Sequence, residues 1–145
     1  QSYTSSKYPQ LNPRLDARGR SLQEAVIAAR GGDVDLAVAI HRELLSKNGA
    51  DAEAWFSLGQ ILHESKRYDE AAPAFSEAAK GKEHRTAALY NLACAYALGG
   101  QKDKAIDAVV RAIEAGVKQK NAWESDPDLA PIRDDERFKR LIASL

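Results

Sequence analysis

Apolar residues along most of this chain recur at intervals of three and four, the spacing of one face of an α-helix. From Ser21 onward, segments with this spacing are separated by Gly-Gly, Asn-Gly or Lys-Gly pairs. Such an alternation predicts helices joined by short turns. The predicted helices lie at 21–30, 34–47, 52–65, 68–80, 86–98 and 102–115.

The residues at the ends of these segments favour the same boundaries. Asp33 and Asp51 precede two of the helices and are typical N-caps. Pro73 lies inside the fourth helix and removes one backbone hydrogen bond, so we expect a bend there and not a break. Glycines follow five of the helices, where we expect a positive φ to close the last turn: Gly31, Gly49, Gly81, Gly99 and Gly116.

The helical segments repeat with a period of 34 residues. The acidic side chain of each repeat falls in the first turn of a second helix, where it meets the positive end of the helix dipole. Small and acidic residues both recur at this spacing, at Ala37, Ala71 and Ala105 and at Asp35, Asp69 and Asp103. Positions of such different character do not align by chance, so the chain is predicted to be an array of paired helices.

The middle unit resembles the tetratricopeptide repeat, a 34-residue pair of helices. Its residues Trp55, Leu58, Gly59 and Leu62 stand where that family has W-x2-L-G-x2-Y, and Ala71, Phe75 and Ala78 follow. The resemblance implies an all-α fold, a right-handed superhelical stack of helix-turn-helix hairpins. It also implies a module that binds a protein or peptide and is not an enzyme.

The period divides the chain into three parts. Residues 1–20 show no apolar period and are predicted to be a flexible leader or linker. Residues 21–120 are predicted to form three hairpins, at about 18–51, 52–85 and 86–119. After Gly116 the period is expected to lapse, and residues 121–145 are predicted to form capping helices over the open end of the stack. Within them, Asp126 before Pro127 is a candidate N-cap.

Composition excludes several classes of partner. Basic and acidic side chains both number 21, so the chain lacks the basic excess of nucleic-acid-binding proteins. Its apolar stretches are much shorter than the roughly 20 residues that span a bilayer, so we expect no membrane insertion. The single Cys94 excludes an internal disulfide, and no localisation signal is present. We expect a monomer or a weak homodimer.

The sequence offers no arrangement of residues for catalysis or metal binding. His63 and Glu64 begin an H-E-x-x-H zinc motif, but position 67 is arginine, so the second ligand is missing. Cys94 lies among small apolar residues and is expected to be a packed thiol. We therefore predict no metal, no cofactor and no enzymatic activity.

In the tetratricopeptide fold, one face of each first helix lines a concave groove. The resemblance thus implies binding contacts at Phe56, Gln60, His63, Tyr90 and Asn91. In the alternative interpretation, Phe56 and Tyr90 are covered by the leader or by the next unit.

One kind of ligand is not expected in this groove. Related domains that grip the C-terminal carboxylate of heat-shock chaperones use Lys, Asn and Arg side chains. At four of the five matching positions here, the side chain has no such polar group or only a hydroxyl, so we predict no such clamp. The matching residues are Leu22, Val26, Ser57, Ala87 and Asn91.

A function of another class stays open. Gln1 and the absence of methionine indicate a processed chain or a fragment. The alternative hypothesis is an accessory or oligomerisation domain from the C-terminal end of a larger enzyme or envelope protein.

Overall fold

A computed structural model describes residue 12 and residues 14–145, which form helices and connecting turns without a strand. The six long helices are α1 Ala17–Arg30, α2 Val34–Lys47, α3 Ala52–Glu64, α4 Tyr68–Ala78, α5 Arg85–Leu98 and α6 Lys102–Glu114. They are followed by α7 Lys120–Ser125, a 3-10 helix at Pro127–Ile132 and α8 Glu136–Ala143. Consecutive long helices pack against one another, which confirms the predicted all-α class and its helical hairpins.

The first helix begins earlier than the apolar pattern predicted. Asp16 accepts a hydrogen bond from the Gly19 N–H at 2.7 Å and caps α1, so residues 17–20 belong to this helix and not to a leader. Residues 1–11 and 13 of the predicted leader lie outside the described residues. The other five long helices start and end within two residues of their predicted positions.

Local capping chemistry accounts for these boundaries. The Asp33 carboxylate accepts from the Leu36 N–H at 3.2 Å, and the Asp51 carboxylate accepts from the Ala54 N–H at 3.1 Å. Both predicted N-caps are therefore confirmed. Helix α4 continues through Pro73, which lies on its exposed side, so this proline does not break the helix.

The left-handed residue of the first and third hairpin turns lies one position later than predicted. Gly32 and Gly100 have φ of 93° and 80°, and Lys66 takes the same role in the middle hairpin with φ of 62°. These three positions are 34 residues apart, so the turn has one geometry in all three hairpins. Gly116 has the expected positive φ of 114°, but the expectation was wrong for Gly31, Gly49, Gly81 and Gly99.

Small residues allow the helices of the middle hairpin to approach closely. A Cβ atom added to Gly59 would lie 2.7 Å from the ring of Phe75, which is shorter than any tolerable contact. One added to Gly81 would lie 2.5 Å from the Cβ of Ala52. Glycine at both positions therefore lets α3 contact α4 and the turn that follows α4.

A buried histidine joins the first hairpin to the second. The His41 side chain is fully buried, and its Nδ1 lies 2.7 Å from the Ala37 carbonyl oxygen. Because a carbonyl only accepts, Nδ1 carries the hydrogen, and Nε2 accepts from the Ser57 hydroxyl at 2.9 Å. Burial lowers the pKa of His41 below its ordinary value, so the ring is held neutral in one tautomer.

The 34-residue spacing continues to the end of the chain, so the expectation that it lapses after Gly116 was wrong. Trp123 lies two periods after Trp55. Trp55 is in the first turn of α3 and Trp123 is in the first turn of α7. Helices α2, α4, α6 and α8 also begin 34 residues apart, at Val34, Tyr68, Lys102 and Glu136. The capping region thus keeps the register of a fourth hairpin whose first helix stops early, at Ser125.

Candidate functional site

The candidate site is the face of α3 and α5 that the resemblance assigns to the concave groove. On α3, Phe56 is half-buried and stacks on His84 with ring centroids 5.1 Å apart. The edge of its ring also meets Phe75 at 5.9 Å. Gln60, one helical turn further on, is exposed. This part of the face is open, and its aromatic side chain is fixed from two sides.

An arginine on α1 closes the N-terminal edge of the open part. The Arg18 guanidinium donates two hydrogen bonds to Asp51, at 2.7 and 2.6 Å, and lies 2.7 Å from Glu53. These contacts tie α1 to the start of α3, and the hydrogen bond from Arg18 lowers the pKa of the Asp51 carboxyl. A shallow charged pocket lies beside them, lined by Arg18 and by residues 50–53 and 81–84.

On α5, the groove position Tyr90 contacts the C-terminal part of the chain. Its hydroxyl donates to Oδ2 of Asp126 at 2.5 Å, and its ring centroid lies 4.7 Å from that of Trp123. Burial raises the pKa of Tyr90, and the hydrogen bond to Asp126 raises it further. The phenol therefore stays protonated and serves as a hydrogen-bond donor.

His63, at the end of α3, reaches the same part of the chain. Its Nε2 lies 2.9 Å from Oδ2 of Asp128, and since an ionised carboxylate only accepts, Nε2 is the donor. The ring meets Tyr68 edge to face at 5.2 Å. The other ring nitrogen, Nδ1, is buried and has no hydrogen-bond partner among the described residues.

Residues 126–132, here named the cap segment, lie over this half of the groove face. The segment packs mainly against α5, and its Leu129 and Ile132 side chains are fully buried. Beneath it Cys94 is also buried, as expected, and burial raises the pKa of the thiol, with a further increase from the nearby carboxylates. Tyr90 is therefore covered by the C-terminal part of the chain, through the cap segment and Trp123 of α7.

The five residues predicted to line the groove fall into three groups. Phe56 and Gln60 lie on the open part, whereas His63 and Tyr90 bind the cap segment. Asn91 is half-buried and, together with Tyr90, lines a shallow pocket beside Val117 and Gln119, in the connection from α6 to α7.

Sequence reasoning missed the residues that contact this face from elsewhere in the chain. Asp126 was interpreted only as a helix cap, a role it does have through the Asp128 N–H at 2.9 Å, while its second carboxylate oxygen meets Tyr90. His84, which stacks on Phe56, was not among the predicted groove residues. The spacing of two periods between Trp55 and Trp123 is the signal that places α7 beside α5.

Residues 12 and 14–145 contain no group of three or more His, Cys, Asp or Glu side chains placed to hold a metal ion. None of their helices has the length and apolarity to cross a membrane.

Comparison with protein-family models gives two matches, both described as tetratricopeptide repeat. One covers residues 22–85 and the other covers residues 62–145. Among curated proteins, intraflagellar transport protein 70A of Bos taurus is 32% identical and covers 74% of this chain. This chain spans only 17% of the length of that relative.

Three solved structures share the fold at low sequence identity. The MamA RS-1 ArsTM double mutant has a TM-score of 0.68 at 20% identity, over 88% of this chain and 71% of its own. PilF of Pseudomonas aeruginosa has a TM-score of 0.67 at 18% identity, over 88% and 60%. A chain of the CopN-Scc3 complex has a TM-score of 0.61 at 20% identity, over 97% and 80%.

Proposed function

Because the chain belongs to the tetratricopeptide repeat family, we propose that it binds a segment of a partner protein on the groove face of its helical array. Membership of this family supports the broader role of a protein–protein interaction module, because its helical hairpins are typically not catalytic. More specifically, the partner segment first contacts the open part of the face, around Phe56 and Gln60.

The observation that carries this proposal is the setting of Phe56. Aromatic side chains dominate binding energy at interfaces when they are already held in one orientation, because little side-chain entropy is then lost on binding. Phe56 is packed between Phe75 and His84 and is still partly accessible. No large hydrophobic side chain of residues 14–145 is fully exposed, which increases the importance of this partly accessible ring.

Polar groups beside Phe56 suit a peptide backbone. The exposed Gln60 carboxamide can both donate and accept, as an extended segment requires. Glu53, exposed one turn before Phe56, provides a carboxylate at the rim, although Arg18 already neutralises part of its charge. Such a rim favours a partner segment of mixed or weakly basic character.

The test is partner capture followed by direct titration. Proteins retained from a lysate by the wild-type chain are identified, purified and titrated against Phe56→Ala, Gln60→Ala and a control, Arg111→Ala, on the exposed side of α6. We expect Phe56→Ala to weaken binding about tenfold or more, and Arg111→Ala to leave it unchanged. Equal affinities for Phe56→Ala and Arg111→Ala, with helical content retained, would show that the partner binds elsewhere.

A second candidate is the accessory or oligomerisation domain of a larger protein. The observation that favours it is the short span of the match to the bovine relative, in which a region like this one lies within a much longer chain. Light scattering over a wide range of concentrations tests the oligomerisation part of this proposal. A dimer that forms as concentration rises would support it, and a monomer throughout would contradict it.

A further inference from the structure

We infer that the half of the groove face beneath the cap segment recognises a protein segment with two carboxylates two residues apart followed by an apolar residue. In the folded chain, Asp126, Asp128 and Leu129 are an internal copy of that ligand. This inference rests on the proposed function and extends it, because it names the chemistry of the segment that this face accepts.

The face presents two hydrogen-bond donors from different hairpins. The Tyr90 hydroxyl of α5 meets the carboxylate of Asp126, and His63 Nε2 of α3 meets the carboxylate of Asp128. Hydrogen bonds to ionised oxygens are short and roughly twice as strong as those between neutral groups. Because the two donors lie on adjacent hairpins, the array fixes the spacing of the acids that it accepts.

A buried apolar position completes the site. Leu129 directly follows the second acid and is fully buried, although both carboxylates remain partly accessible. The segment therefore has two charged contacts at its edge and an apolar contact beneath, the usual anatomy of a bound peptide. The Leu129 side chain fixes the direction in which the acids lie.

The carboxylate contacts are additional to the apolar packing that closes the end of the array. That packing comes from Trp123, Leu129, Ile132, Phe138 and Ile142, which are all buried. Helix α7 stops after 6 residues, whereas α3 and α5 have 13 and 14, and the chain then turns back across the groove face. This departure from the repeat brings the carboxylates to Tyr90 and His63.

The cap segment leaves one ring nitrogen of the face without a partner. Nδ1 of His63 is buried and has no hydrogen-bond partner within the described part of the chain. Buried polar groups are otherwise almost always paired. Because Nε2 is the donor, Nδ1 is an acceptor, and a partner segment with one further donor would satisfy it.

The occupant that we assign is a segment of another protein that competes with the internal copy. An internal ligand is present at an effective concentration of the order of millimolar, so wild-type chain is expected to bind such a segment weakly. Loss of one internal carboxylate should weaken the hold of the internal copy on the face and raise affinity for a ligand supplied from outside.

The experiment uses the full chain and a fluorescein-labelled peptide with the sequence of residues 123–133. Its affinity is measured by fluorescence polarisation for wild type, for Asp128→Ala and for a control, Asp134→Ala, which removes an exposed acid outside the cap segment. We expect Asp128→Ala to bind the peptide about tenfold more tightly than wild type, and Asp134→Ala to match wild type. A peptide with both aspartates changed to asparagine should bind at least about tenfold more weakly to Asp128→Ala.

Three results would overturn the inference. The first is no gain for Asp128→Ala while its circular dichroism and thermal unfolding match those of wild type. The second is equal binding of the aspartate and asparagine peptides. The third is dimerisation of Asp128→Ala in light scattering, which would identify a second copy of the chain as the occupant.

The outcome is separable from that of the proposed function. If the peptide fails to bind but partner binding still depends on Phe56, only the carboxylate inference is wrong. If partner binding is unaffected both by Phe56→Ala and by Asp128→Ala, the proposed groove function is wrong as well.

Discussion

Trp123 and Trp55, two periods apart in the chain, make the same hydrogen bond. The Trp55 indole N–H donates to the Gly49 carbonyl at 2.8 Å, and the Trp123 indole N–H donates to the Val117 carbonyl at 3.0 Å. In both cases the acceptor lies six residues before the tryptophan, in the loop that leads into its helix. The bond therefore holds the incoming loop against the first turn, and α7 is built as a first helix although it is short.

This equivalence predicts that Trp123 is a principal stabilising residue of the C-terminal region. Its side chain is fully buried between Tyr90 and Phe138. We expect Trp123→Ala to lower the free energy of unfolding by about 3–5 kcal/mol, measured by urea denaturation. Trp123→Phe keeps one aromatic ring but loses the hydrogen bond and part of the buried volume, so its cost should be clearly smaller than that of Trp123→Ala. Similar costs for the two variants would contradict this packing.

The turn between α3 and α4 is predicted to be the least favourable of the three equivalent turns. Lys66 has a positive φ where the other hairpins have Gly32 and Gly100, and a left-handed backbone costs a non-glycine residue about 1–2 kcal/mol. We expect Lys66→Gly to raise the free energy of unfolding by up to about 1 kcal/mol, since glycine relieves strain but is freer when unfolded.

The matched control for that change is Gly100→Lys, which introduces the same left-handed non-glycine residue in the turn of the third hairpin. No side chain obstructs it, because a Cβ at Gly100 would have no atom within 4 Å. It should lower the free energy of unfolding by about 1 kcal/mol, from conformation alone. A destabilising Lys66→Gly would show that Lys66 makes a compensating contact.

Most of the fold could be predicted because its signals are local. Asp33 and Asp51 lie next to the helices that they cap, and the 34-residue period sets the remaining boundaries. The turn glycines were misplaced because both residues of a Gly-Gly pair permit a positive φ, so composition does not identify the one that adopts it. Lys66 then had no glycine to mark its turn.

The candidate site was harder to predict because its contacts are distant along the chain. His63 and Asp128 are 65 residues apart, and Tyr90 and Asp126 are 36 apart. A helical wheel places Tyr90 on the groove face but does not show what covers that face. The cover depends on where α7 ends, which Pro127 sets through a turn whose direction the sequence does not encode locally.

The close contact between Gly59 and Phe75 gives a prediction that a second substitution, at Phe75, can test. Gly59→Ala would place its Cβ 2.7 Å from the Phe75 ring, so we expect a loss of about 1–3 kcal/mol in the free energy of unfolding, and a larger loss for Gly59→Leu. Replacing Phe75 with leucine removes the ring atoms that clash. The double variant should therefore be less destabilised than the sum of the two single changes. Additive costs in denaturant unfolding would show that Phe75 is not the obstacle.

The buried His41 makes stability depend on pH in one direction. Its pKa is lowered in the folded chain by burial, so the unfolded chain binds more protons at pH values below the ordinary pKa of 6.5. The contribution of His41 is thus fully present above about pH 6.5 and is lost as pH falls toward the lowered folded-state value. We expect the free energy of unfolding of the wild type to decrease on acidification through this window, and that of His41→Phe to decrease less, when both are measured by urea denaturation.

Ser57→Ala is the matched control, because it removes the hydroxyl that donates to Nε2 but keeps the buried ring. Its free energy of unfolding should be lower at every pH, with the pH dependence retained. The same slope in wild type and His41→Phe would assign the acid sensitivity to other groups.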